Sequence, residues 1–111
     1  MNRHGDRDTP LSITELTWPA AAGKRTVRRY GFEVDEQTQA SDLRSALDQL
    51  LAQRRSLRLE HIMWYTWITA SPAGVGDSFD YSGLRALLPD GQVVDRPALA
   101  VYASIARRIE R

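Results

Sequence analysis

The chain has 111 residues, no cysteine, and fifteen Lys and Arg against fourteen Asp and Glu, a formal charge of +1. That length holds at most one domain. The missing cysteine excludes a disulfide framework and a thiolate metal site, and the near-neutral balance argues against a dedicated nucleic-acid partner. Hydrophobic residues make up 42% and charged residues 26%, as in an ordinary soluble globular chain. No apolar run approaches the eighteen or so residues that a membrane span needs, so no membrane partner is expected.

Residues 1–10 are polar and read as a connection, with no apolar core of a signal peptide. Gly5 can end a preceding helix, and Asp8-Thr9-Pro10 leads into an extended segment. Residues 11–17, Leu-Ser-Ile-Thr-Glu-Leu-Thr, predict a first strand. Strict alternation there places Glu15 on the same face as Leu11 and Ile13. Pro19, Ala20–Ala22 and Gly23 end it. Residues 24–35 read as an arginine-rich loop with a short ordered piece around Tyr30-Gly31-Phe32. Its basic pairs Lys24-Arg25 and Arg28-Arg29, like Arg54-Arg55 and Arg107-Arg108, read as solvated faces.

From Asp35 the period becomes helical. Asp35 or Thr38 can cap, and Leu43, Ala46, Leu47, Leu50 and Leu51 recur at helical spacing, predicting a helix over 36–54. Arg54, Arg55 and Arg58 suit the negative end of its dipole. Residues 60–69 predict a second strand, almost continuously apolar and aromatic, as in a parallel strand covered on both faces. A loop follows over 70–82. Gly83–Gly91 predicts a short extended piece and a tight turn at Pro89-Asp90-Gly91. Pro97 opens a last helix carrying Leu99, Tyr102, Ile105 and Ile109.

The order strand, helix, strand, helix implies parallel strands joined by right-handed crossovers, an α/β chain. Two helices cannot cover both faces of two strands. The aromatic second strand would therefore leave an apolar surface open, and both sheet edges would be unpaired. The expectation is that the chain is part of something larger, or that it self-associates through its exposed strand edges.

Thr14-Glu15-Leu16-Thr17-Trp18 and Trp64-Tyr65-Thr66-Trp67 resemble the ends of the seventh and eighth strands of (β/α)8-barrel retaining glycoside hydrolases, in the clan of cellulases and β-xylosidases. Gln39-Ala40 at the start of the intervening helix, Gly83-Leu84, the Asp90-Gly91 turn and Pro97-Ala98 are similar in order and spacing to the same families. The resemblance runs from about residue 4 to 111. It implies a βαβα fragment, the last two βα units of a TIM barrel, with residues 1–111 as one partial catalytic domain. A complete barrel takes about 250 residues, so strands one to six are missing. The resemblance then makes His4-Gly5-Asp6 the end of the sixth helix and Met1 an internal methionine or a miscalled start. Such enzymes are commonly secreted.

Retaining glycosidases set two carboxyl groups about 5–5.5 Å apart across the scissile bond. One attacks the anomeric carbon, and the other protonates the leaving oxygen and then activates water. The resemblance implies that Glu15, at a strand's C-terminal end, is the nucleophile hydrolysing O-glycosyl bonds of β-linked carbohydrates. The acid/base glutamate of the clan follows an asparagine on the fourth strand, and this chain has no counterpart, so activity alone is not expected. A glutamate at this place, without its motif, more often rims a loop or pairs with an arginine. Trp67, with Tyr65 on the same strand parity, suits a platform for the apolar face of a sugar, whereas Trp64 suits the core. Trp18 walls a neighbouring subsite or packs a loop. Asp77, Asp80 and Tyr81 border the cleft, where loop solvation is the simpler reading. His61 reads as structural, and His4 has no partner at metal-ligand spacing. No metal and no cofactor are expected. The competing expectation is a non-catalytic carbohydrate-binding or self-associating module.

Overall fold

Leu11, Ile13 and Leu16 supply the half-buried side of the first strand, β1 (Leu11–Leu16). The computed structural model describes residues 8–72 and 74–110; His4 and Gly5–Asp6 lie outside them. A helix, α1 (Glu36–Ala52), follows the long loop. Asp35 caps it, its Oδ1 accepting from the Thr38 amide at 2.7 Å. Next comes β2 (Leu59–Trp64), parallel to β1, with Ser12 opposite His61, Ile13 opposite Ile62 and Leu16 opposite Trp64. The expected parallel pair and its helical crossover are therefore present.

The second strand is not one piece. It divides into β2 and β3 (Ile68–Ala70), with a cis peptide between Tyr65 and Thr66. The change of partner explains the division. Tyr65 still donates to Leu16 O at 2.9 Å, but the carbonyls of Thr66 and Trp67 accept from Leu84 and Arg85, both at 3.0 Å. β1 ends before Pro19, which has no N–H to offer a ladder. Beyond Trp64 the chain therefore pairs with β4 (Arg85–Leu87) instead. β4 turns through Asp90-Gly91 into β5 (Val93–Asp95), which runs antiparallel to it. This three-stranded sheet, and β5 in particular, was not expected from the sequence. Gly91, at φ 90°, takes the left-handed position of that turn, which side chains disfavour. The last helix, α2 (Pro97–Ile109), starts at Pro97 as expected.

Both helices lie on one face of the β1–β2 pair. Their core joins Ala40, Leu43 and Leu47 of α1 to Ala98 and Ile105 of α2, with Leu84, and with Leu16, Ile62 and Trp64 of the sheet against it. The opposite face carries Ser12, Glu15, His61 and Met63, all exposed. The fold is mixed α/β, with one sheet covered on a single side.

Candidate active-site face

Glu15 does not share the face of Leu11 and Ile13. Three steps on β1, from Ile13 to Leu16, are matched by two on β2, from Ile62 to Trp64. The extra residue is a β-bulge, which changes the side that the following residue presents. Leu16 thereby turns to the helices, and Thr14 and Glu15 are both exposed. The strict alternation read from the sequence fails at that point. The bulge sets Glu15 on the open face, at the C-terminal end of β1.

The neighbouring residues on that face come from β2 and its continuation. Exposure alternates along it: His61, Met63, Tyr65 and Trp67 are exposed, while Ile62, Trp64 and Thr66 are half-buried. Tyr65 is 41% and Trp67 53% exposed. The Tyr65 amide donates to Leu16, the residue after Glu15, so the backbone brings Glu15 and Tyr65 to adjacent places on adjacent strands. The Arg85 guanidinium lies 6.0 Å from the centre of the Trp67 ring, a weak attraction at this exposure.

Trp18 stands apart from Tyr65 and Trp67. Its ring stacks on Trp64 at 6.2 Å, and Trp64 packs on the core and donates from Nε1 to Ser82 O at 3.2 Å. Trp64 is thus the core tryptophan that the sequence suggested. His61 touches Ser12 Oγ through Nδ1 at 3.4 Å, on the open face. An apolar cavity of about 190 Å³ lies on the helix side, between β2, α1 and α2, and neither Glu15, Tyr65 nor Trp67 lines it.

The loops at the C-terminal ends of the strands are tied together around Glu33 and Ser78, which the sequence reading passed over. The Glu33 carboxylate accepts from the amides of Tyr30 at 2.6 Å and Gly31 at 2.9 Å, and from Ser78 Oγ at 2.9 Å. These donors, the Tyr30 amide foremost, outweigh the cost of desolvation and hold its pKa at about 2. The Tyr30 hydroxyl donates to Asp77 Oδ2 at 3.1 Å, and its ring meets Phe32 and Phe79 at 5.6 and 5.4 Å. Asp77 and Asp80 cap a short 3-10 helix, Ser78–Tyr81, reciprocally. Their role is therefore to order the loop, as its solvated reading half anticipated.

Two buried polar side chains complete the support. Gln39 donates from Nε2 to Trp18 O at 2.8 Å and Tyr81 O at 3.3 Å, joining the exits of β1 and the second loop. Arg96 is 5% exposed and donates from a terminal guanidinium nitrogen to Gly83 O at 2.6 Å. Its Nε lies 3.6 Å from Glu36 Oε1, an ion contact without a hydrogen bond. Burial lowers the Arg96 pKa, against the pull of Glu36. The sequence reading did not single out Arg96, which stands directly before the helix-opening Pro97.

Among the described residues no group of three His, Asp or Glu is placed to hold a metal ion, and no helix is long and apolar enough to cross a membrane. No family model, no curated protein and no solved structure matches this chain.

Proposed function

We propose that this chain is the closing βαβα part of a retaining β-glycoside hydrolase barrel, with Glu15 as the nucleophile and Tyr65 and Trp67 as sugar-contacting aromatics. One observation carries the reading. A β-bulge brings Glu15 to the uncovered face of two parallel strands, beside Tyr65 and at their C-terminal ends. That is the end at which barrels of this type bind substrate. Helices on the other face alone fit the outer layer of such a barrel.

On this reading a Glu15 carboxylate oxygen attacks the anomeric carbon as the bond to the leaving oxygen breaks. A second carboxyl group protonates that oxygen, and water then releases the sugar. The single asparagine of the sequence, Asn2, is followed by Arg3, so the Asn-Glu pair of the family must come from elsewhere. The 111-residue chain is then inactive by itself.

The test is the DNA upstream of the Met1 codon, followed by expression of the longer frame. The expected result is an open frame encoding earlier strands and an Asn-Glu. The longer protein then hydrolyses aryl β-glycosides, and Glu15→Gln lowers kcat by about 10⁴-fold or more. An in-frame stop directly upstream, or an undiminished Glu15→Gln enzyme, removes hydrolysis from consideration. A second reading, a carbohydrate-binding or self-associating module, is favoured by the exposure of Met63, Tyr65 and Trp67 on one face. It predicts binding or dimerisation without turnover.

A further inference from the structure

The loop after β1 carries four cations in six residues, Lys24, Arg25, Arg28 and Arg29, and all four are exposed. It lies at the same end of the sheet as Glu15, between the C-terminus of β1 and the N-terminus of α1. Four carboxylates lie on the surrounding segments: Glu33, Asp35, Asp77 and Asp80. A balanced patch would be unremarkable, but these carboxylates are engaged by amide and hydroxyl donors of their own loops rather than by the cations. Glu33 is held by the Tyr30 and Gly31 amides and Ser78, Asp35 by the Thr38 amide, Asp77 by the Phe79 amide and Asp80 by the Asp77 amide. Among the described residues none of the four cations forms an ion pair.

The loop is also held in place. The Val27 amide donates to Gly76 O, in the loop after β3, at 2.8 Å. Arg28 lies over the Tyr30 ring at 4.7 Å and donates to its hydroxyl at 2.9 Å. Lys24 Nζ lies 5.9 Å from the Tyr81 ring. Arg29 borders an open cavity of about 230 Å³ with mixed walls, Ala21, Ala22, Thr26 and Glu33 among them. Phe32, stacked on Tyr30 and 46% exposed, offers a flat apolar surface beside these charges. Fixed cations near exposed aromatic rings fit a chain that alternates anionic groups with apolar ring faces.

We infer that Lys24, Arg25, Arg28 and Arg29 form the rim that selects an anionic glycan, a β-linked polysaccharide bearing carboxylate or sulfate groups. The inference rests on the glycosidase reading for its sugar and on this loop for its charge.

The test measures binding of the full chain to β-linked oligosaccharides at low and at physiological salt. Hyaluronan fragments supply carboxylates, chondroitin sulfate fragments add sulfates, and cello- and xylo-oligosaccharides are neutral. The charged glycans bind about tenfold more tightly than the neutral ones at low salt, and the margin shrinks as salt rises. Their order separates sulfate from carboxylate as the preferred group. Arg25→Ala with Arg29→Ala abolishes the margin. Arg54→Ala with Arg55→Ala, which removes the same charge from the opposite end of the strands, leaves it intact. Thermal melts of both variants confirm that they fold, as their exposed positions imply.

Equal losses in the two double variants reduce the effect to net charge and overturn the inference. Duplex DNA held as tightly, through the same arginines, replaces the glycan with a general polyanion. Neutral glycans bound through Trp67 with no margin for charged ones sink this inference and spare the glycosidase reading. Failure to bind any glycan overturns this inference and leaves the glycosidase reading to the test of the longer frame.

Discussion

Glu33 ties together the loops at the end of the sheet that carries Glu15. Its pKa falls from 4.5 to about 2 because the folded loop supplies amide and hydroxyl donors to the ionised form. A depressed carboxylate stabilises the fold above its unfolded pKa, and that contribution disappears as pH falls through the folded value. The advantage in melting temperature of the wild type over Glu33→Gln is therefore full above about pH 4.5. It declines steadily towards pH 2, and a constant difference across that range would show that the carboxylate charge is not involved. Arg96 poses the reverse problem, a cation enclosed by protein. Its bond to Gly83 O has no substitute once the side chain is gone, and Gly83 is itself buried. Arg96→Met should cost about 1.5–3 kcal/mol in chemical denaturation, the range for a hydrogen bond to a charged group. Arg96→Lys should recover part of it. An unchanged midpoint for Arg96→Met would mean that water replaces the guanidinium at no cost.

At the scale of elements, the two faces of the β1–β2 pair should respond differently to truncation. Leu43 is fully buried between the helices and the sheet, and Leu43→Ala is expected to cost about 2–5 kcal/mol. Trp67 loses little packing on truncation, so Trp67→Ala should cost under about 1 kcal/mol while removing glycan binding. Urea titrations of both variants compare them directly, and a Trp67 cost matching that of Leu43 would make Trp67 a core residue. This asymmetry also marks what the sequence could tell. Helical spacing in Leu43, Leu47 and Leu51, the cap at Asp35 and the proline at 97 each act within a few residues, so α1, α2 and their ends were legible. The β1–β2 pairing followed from the helix between two apolar runs. The bulge at Thr14-Glu15 was not legible, because it depends on which residue of β2 each residue of β1 meets. β3 was hidden for a related reason, since residues 60–69 read as one strand and only the change of partner from β1 to β4 divides it. Gly83 shows the same limit. Its pairing in the resemblance was noted, but the reason for a glycine appears only in space, where a Cβ would sit 2.6 Å from Thr69 N.

At the scale of the molecule, the chain exposes 7436 Å², whereas a compact monomer of its mass exposes about 6200 Å². Its radius of gyration is 16.0 Å, against about 13 Å for a compact chain of this length. The excess surface exceeds the roughly 800 Å² that each partner contributes to a standard protein interface. It includes the open face, where Met63, Tyr65 and Trp67 stand together, and among the described residues the β1–β2 sheet has no third strand at either edge. A two-stranded sheet with one bare face seldom persists alone. Sedimentation velocity of the 111-residue chain should therefore show a mean mass that rises with concentration in the micromolar range. Met63→Lys combined with Tyr65→Lys adds two charges to the bare face without touching the helix core, so it should restore the monomer and keep the helical circular dichroism. The same variant separates the two ways in which the surface can be satisfied. If the face is an interface between copies, the lysines abolish association. If the unpaired edges alone drive it, association persists with the lysines in place. A wild-type monomer independent of concentration and melting in one sharp transition contradicts both, and with them the argument that this sheet awaits further strands.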